Sequence, residues 1–138
     1  MAALGPTTVI LETSFLIDLE RERLAGDEGP AHTALERHAQ RRLVVTETIA
    51  GELAIGIPPG SRSEWEALLA PFAVIPIDRS VAWHYGQVHR FLSANGMLIG
   101  ANDMWIAATA RAHGIAVLTR DVAHYRRVPD LGVIAYRE

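Results

Sequence analysis

The sequence predicts an α/β domain built on a mostly parallel sheet of four or five strands, with helices on both faces. Three observations carry this. Short apolar, β-rich runs alternate with helical patterns along the chain. The strongest runs are unbroken, as expected of strands covered on both sides rather than half exposed. The connections are short, and strand–helix–strand units of that kind cross over right-handed. In such sheets ligands bind beyond the carboxyl ends of the strands, so residues there matter most.

Taken in order, Thr8-Val9-Ile10-Leu11 is the first strand and residues 14–21 form a short helix. Residues 31–42 read as a second helix with Ala34, Leu35 and Ala39 on one stripe, and Arg41 and Arg42 suit the negative end of its dipole. Leu43-Val44-Val45-Thr46 is the second strand. A helix over 47–57 is stopped by Pro58-Pro59-Gly60. The next, over 61–69, opens with Ser61 and Glu64 at capping-box spacing. Residues 73–77 form a third strand, and Pro76 pushes it toward an edge or a strand end. A longer helix over 79–94 closes at Asn95-Gly96, and one over 101–113 closes at Gly114. Residues 115–119 are the fourth strand, 122–127 a short helix and 132–136 a weaker fifth strand. Trp65, Trp83, Trp105 and Phe91 are expected in the core or at helix interfaces.

The 138 residues make a single domain, 1–138, large enough to fold without staples. There is no cysteine, hence no disulfide or thiolate site. All 13 basic residues are arginine, which excludes Schiff-base and phosphate-binding lysine mechanisms. The net charge of −3 argues against binding nucleic acid by bulk charge and leaves room for a local arginine patch. Uncharged stretches such as 91–102 contain glycine and fall short of the roughly 20 residues of a membrane span. The opening MAALGPTTVI lacks the basic start of a secretory signal, so a cytoplasmic protein is expected.

Four carboxylates fall where such a sheet gathers its ligands. Glu12 ends the first strand, Asp121 follows the fourth, and Asp103 lies in the first turn of the helix leading into that strand. Glu52 borders the Ile49, Leu53, Gly56 stripe of its own helix, where it needs a partner. Each has a plainer reading: Glu52 paired with an arginine or reaching water, Asp103 favoured by the helix dipole, Asp121 capping a helix. Crowded together, carboxylates raise each other's proton affinity, and a divalent cation relieves that repulsion. Magnesium and manganese prefer such oxygen ligands and support phosphodiester hydrolysis.

The segments Val9–Leu19, Glu52-Leu53-Ala54-Ile55-Gly56, Ile99–Ala108, Leu118-Thr119-Arg120-Asp121 and Tyr125–Leu131 resemble PIN-domain ribonucleases, in particular VapC-type toxins of type II toxin–antitoxin pairs. The likeness runs nearly end to end in motif order. It implies a three-layer α/β/α sandwich (PIN-like) and a Mg2+- or Mn2+-dependent endoribonuclease acting on structured RNA such as tRNA. Glu12, Glu52, Asp103 and Asp121 occupy the family's metal-binding and catalytic acid positions. Thr13, Ser14 and Thr119 fall where it places hydroxyls near phosphate or metal-bound water. It also implies an antitoxin partner wrapped over apolar helix surface such as Leu16, Leu19, Ala34 and Leu35, and a homodimer. One position departs from the pattern: the family's first acid is normally aspartate. The extra methylene of Glu12 moves the carboxylate by about 1.5 Å, against the near-ideal octahedron that magnesium demands. Reduced rather than absent activity is expected, the alternative being a PIN-like domain that binds RNA or antitoxin without cutting.

Arg120, Arg126 and Arg127 flank the fourth acid and are candidates for holding RNA phosphates. Asp18 reads as a solvated residue, and His124, the one histidine placed near the site by its position three residues after Asp121, reads first as a surface one. The six histidines show no metal-site spacing. A phosphoryl-receiver domain needs a lysine that is missing here. A haloacid-dehalogenase-type phosphatase needs Asp-x-Asp where this chain has Glu12-Thr13-Ser14, and no glycine-rich phosphate loop follows a strand.

Overall fold

The computed structural model describes residues 7–137. Most of the stretch weighed above as a leader, residues 1–6, lies outside the described residues. The strands are β1 (Thr8–Leu11), β2 (Arg42–Thr46), β3 (Ala73–Ile75), β4 (Ala116–Leu118) and β5 (Val133–Ile134). They form one sheet in the order β3-β2-β1-β4-β5, every pairing parallel. The helices are α1 (Thr13–Ala25), α2 (Pro30–Arg37), α3 (Glu47–Ile55), α4 (Arg62–Leu69), α5 (Arg79–Ala94), α6 (Ala101–His113) and α7 (Val122–Tyr125).

The central strand shows why helices must lie on both sides. All of Thr8–Leu11 is buried, whichever way a side chain points. Val9, Ile10 and Leu11 meet Phe15, Val44, Ile49, Ile106, Val117 and Leu118 in one apolar core. Burying each such side chain stabilises the fold by about 1.5–3 kcal/mol. Helix α5 packs along α6, and α1 against α2 and α3. As Pro76 suggested, β3 is an edge strand.

Register places the carboxyl ends side by side. Leu11 of β1 lies opposite Leu118 of β4, and the Glu12 amide donates to the Leu118 carbonyl (3.1 Å). Glu12 and Thr119 therefore leave the sheet together at its centre.

Local details differ from the sequence reading. Helix α1 runs to Ala25 and ends at Gly26 in a left-handed conformation (φ 72°), which glycine adopts without strain. The second helix stops at Arg37. Arg42, expected at its C-terminal end, instead opens β2, its amide donating to the Thr7 carbonyl (2.8 Å). Ser61 makes no side-chain cap on α4. Trp83 and Phe91 are 66% and 39% exposed, on the face of α5 turned away from the core. Helical spacing fixes that two residues share a face, not which face is covered.

Candidate active site

Glu12 is 3% exposed and acts as the N-cap of α1. Its Oε2 accepts from the Ser14 amide (2.9 Å), the Ser14 hydroxyl and the Thr119 hydroxyl (3.0 Å). The longer side chain thus folds back onto the first turn of its own helix. Burial pushes its carboxyl above the usual range; the bonds from Ser14 and Thr119 pull it down, and the charge of Asp121 adds to the rise.

Helix α3, capped by Thr46 at the end of β2, carries Glu52. Ile49 and Ala50 are buried while Glu52 is half-buried, accepting from Thr13 Oγ1 (2.6 Å) and, at 3.5 Å, Asn102 Nδ2. Gly56, assigned to the inward stripe, is exposed instead.

Asp103 sits in the first turn of α6, and α7 reaches it with two consecutive residues. Tyr125 donates to Oδ1 (3.2 Å), and His124 Nδ1 lies 3.5 Å from Oδ2. His124 is thus both exposed and beside Asp103. Asp121 begins α7 without a side-chain cap, so the plainer capping role is not what it does.

Tyr125 shows how these acids converge. It is 0% exposed, and its phenol is pushed well above the ordinary range by burial, then by the charges of Glu12, Asp103 and Glu52 and the bond to Asp103. Asp103 alone bonds that hydroxyl; Glu12 and Glu52 act on it by charge, as Asp121 acts on Glu12. Among the described residues, none of Glu12, Glu52 and Asp121 is ion-paired with an arginine or histidine. Nor, among the described residues, do three carboxylate or imidazole groups stand close enough to hold one ion between them. The donor set itself fits a hard divalent cation: all oxygen, half-buried to buried, and short of positive charge.

The remaining candidates divide. Ser14 Oγ accepts the Arg120 amide (3.1 Å), and Thr119 Oγ1 accepts the Asp121 amide (2.9 Å). Thr119 has no exposed surface, and its hydroxyl donates to Glu12. Arg120 is bound to Asp18 at 2.9 Å, and Asp18, expected in solvent, is 7% exposed. Arg127 donates to the carbonyls of Met97 and Leu98, tying down the α5–α6 connection. Arg126 is exposed. Sequence reasoning missed Tyr125, Asn102 and Asp18. Only Asp18 carried a signal, lying four residues after Ser14 and hence on its face of α1.

Away from the acids, Leu16, Leu19, Leu35, Leu53 and Phe72 line an apolar groove of about 530 Å3. Ala34, grouped with them in the sequence, is 1% exposed and part of the core.

Residues 9–131 match the family model described as "PIN domain". The chain is 33% identical over 132 residues to ribonuclease VapC4 of Mycobacterium tuberculosis, covering 91% of this chain and 94% of that one. It is 25% identical over 91 residues to the tRNA(fMet)-specific endonuclease VapC of Salmonella typhimurium, covering 66% and 69%. The structure of VapBC-1 from nontypeable Haemophilus influenzae superposes with a TM-score of 0.79 at 27% identity, over 95% of this chain and 99% of that one.

Proposed function

This chain belongs to the PIN-domain family, among its VapC-type ribonucleases, and from that premise we propose that it is a Mg2+- or Mn2+-dependent endoribonuclease toxin cutting structured RNA such as tRNA. One observation carries the site assignment: hydrogen bonds tie the acids to the carboxyl edge of the sheet, Thr119 joining Glu12 to the Asp121 amide, Thr13 beside Glu12 holding Glu52, and Tyr125 of α7 holding Asp103. Glu12, Glu52, Asp103 and Asp121 would hold the metal, which would supply a water of lowered pKa and neutralise charge on the phosphate. The chain's own residues prepare that site. Ser14 and Thr119 hold the Glu12 carboxylate in place, Thr13 holds Glu52, and Tyr125 holds Asp103. Arg126, exposed one residue beyond α7, is placed to hold RNA phosphate. No side-chain nucleophile is needed, in keeping with a chain free of cysteine and lysine.

The partners follow the same reading. The apolar groove lined by Leu16, Leu19 and Leu35 suits a VapB-type antitoxin segment, and the exposed Trp83 and Phe91 support a homodimer through α5. A cytoplasmic location is part of the same proposal. Among the described residues no helix is long and apolar enough to cross a membrane.

The test is to incubate the purified protein with total cellular RNA, with and without chelator, and map the ends. Defined ends that vanish with chelator, and with Asp121→Asn, are expected. Ends that persist under chelator refute the metal reading. A second reading, binding without cleavage, is favoured by the Glu12 oxygen already surrounded by Ser14 and Thr119. On that reading millimolar Mn2+ leaves the melting temperature unchanged, whereas a ligand of the native state must raise it.

A further inference from the structure

Asp18 is a buried carboxylate that the metal site does not use. It accepts from Arg120 Nη1 (2.9 Å), Tyr136 Oη (2.5 Å) and Arg137 Nη1 (3.2 Å). Ser14 and Asp18 share one face of α1, and that face grips residue 120 at both ends: Ser14 Oγ takes its amide and Asp18 its guanidinium. The neighbours of Arg120 in sequence are the two residues whose placement the site needs. Thr119 Oγ1 donates to Glu12 and accepts the Asp121 amide. Tyr136 reaches Asp18 from the far end of the chain and packs edge-on against Phe15 at 4.9 Å.

We propose that Asp18 is a positioning residue: by holding the Arg120 guanidinium it locks the 119–121 turn, so that Thr119 meets Glu12 and Asp121 stays beside it, while Tyr136 and Arg137 brace Asp18 from the C-terminal end. The consequence for metal rests on the nuclease reading; the grip itself does not. A buried carboxylate facing two guanidinium groups is stabilised only while all partners stay in place, so it specifies one arrangement of the turn. Arg120 is accordingly a fastening first, despite its position beside an acid.

The experiment compares the parent protein with Asp18→Asn, Arg120→Met, their double variant and the core truncation Val88→Ala on α5. Backbone hydrogen exchange is read at the Arg120 and Asp121 amides. Each of the first two variants is expected to speed exchange there by about tenfold or more, with the double no faster than the worse single, as coupled partners behave. Val88→Ala controls for general loss of stability and leaves those amides protected relative to β1. Exchange within about twofold of the parent in either variant, or an equal response to Val88→Ala, overturns the grip. Mn2+ titration followed by thermal shift then tests positioning: affinity is expected to fall about 10–100-fold in Asp18→Asn and Arg120→Met. Faster exchange with unchanged Mn2+ affinity overturns the positioning role. A parent protein that binds no Mn2+ refutes the nuclease reading, and the exchange data alone then decide whether Asp18 locks the turn.

Discussion

Tyr125→Phe tests the burial of a protonated phenol against Asp103 without touching an acid. The phenol is fully buried, and burial plus three nearby carboxylates hold it protonated far beyond its usual range. A folded-state pKa above the unfolded one gives stability that is complete below about pH 10 and is lost progressively as pH rises from there through the higher folded value. At pH 11 the unfolded phenol is mostly ionised and the folded one is not, so this residue alone removes about 1.4 kcal/mol. Lysine and cysteine are missing from the chain, so little besides tyrosine titrates in that window. At pH 7 the variant loses one hydrogen bond, 3.2 Å long, to a half-buried aspartate, worth about 1 kcal/mol. The deficit of Tyr125→Phe should therefore shrink from about 1 kcal/mol at pH 7 to nothing or a slight advantage at pH 11. Urea denaturation in chelator, at steps from pH 7 to 11, measures both curves. A gap that stays constant or widens refutes the buried, protonated phenol bonded to Asp103.

Glu12→Asp removes the methylene that lets this carboxylate fold back on its own helix; metal-dependent cleavage should rise about tenfold, and equal rates would mean the difference is silent. Burial raises the Glu12 pKa, so its stabilising contribution is full below about 4.5 and lost at higher pH; Glu12→Gln should gain stability relative to the parent between pH 4 and 7, and a relative loss contradicts the assignment. Arg126→Ala should reduce the slope of log affinity for RNA against log salt by about 0.7–1, while Arg127→Ala, whose guanidinium serves two carbonyls, leaves the slope alone. Phe15→Ala, emptying a fully buried site against Tyr136, should cost about 3–5 kcal/mol in urea unfolding; a loss under about 1 kcal/mol is incompatible with that packing.

By itself the sequence determined the elements and the edge where chemistry gathers. Unbroken apolar runs marked β1, β2 and β4, turn residues marked where α5 and α6 stop, and Glu12, Asp103 and Asp121 stood at ends legible from those boundaries. All of this is local: periodicity, punctuation and chain reach act within a few residues. The tertiary structure alone decided what each polar group meets. Glu52 finds Thr13 39 residues away, and Asp18 finds Tyr136 118 residues away. The same holds for surfaces, since α5 shows its pattern either way and only packing on α6 settles that Trp83 faces outward. Side-chain partners across the fold leave no periodic trace, because a hydrogen bond or ion pair depends on where two distant backbones come to rest, not on the spacing within either one.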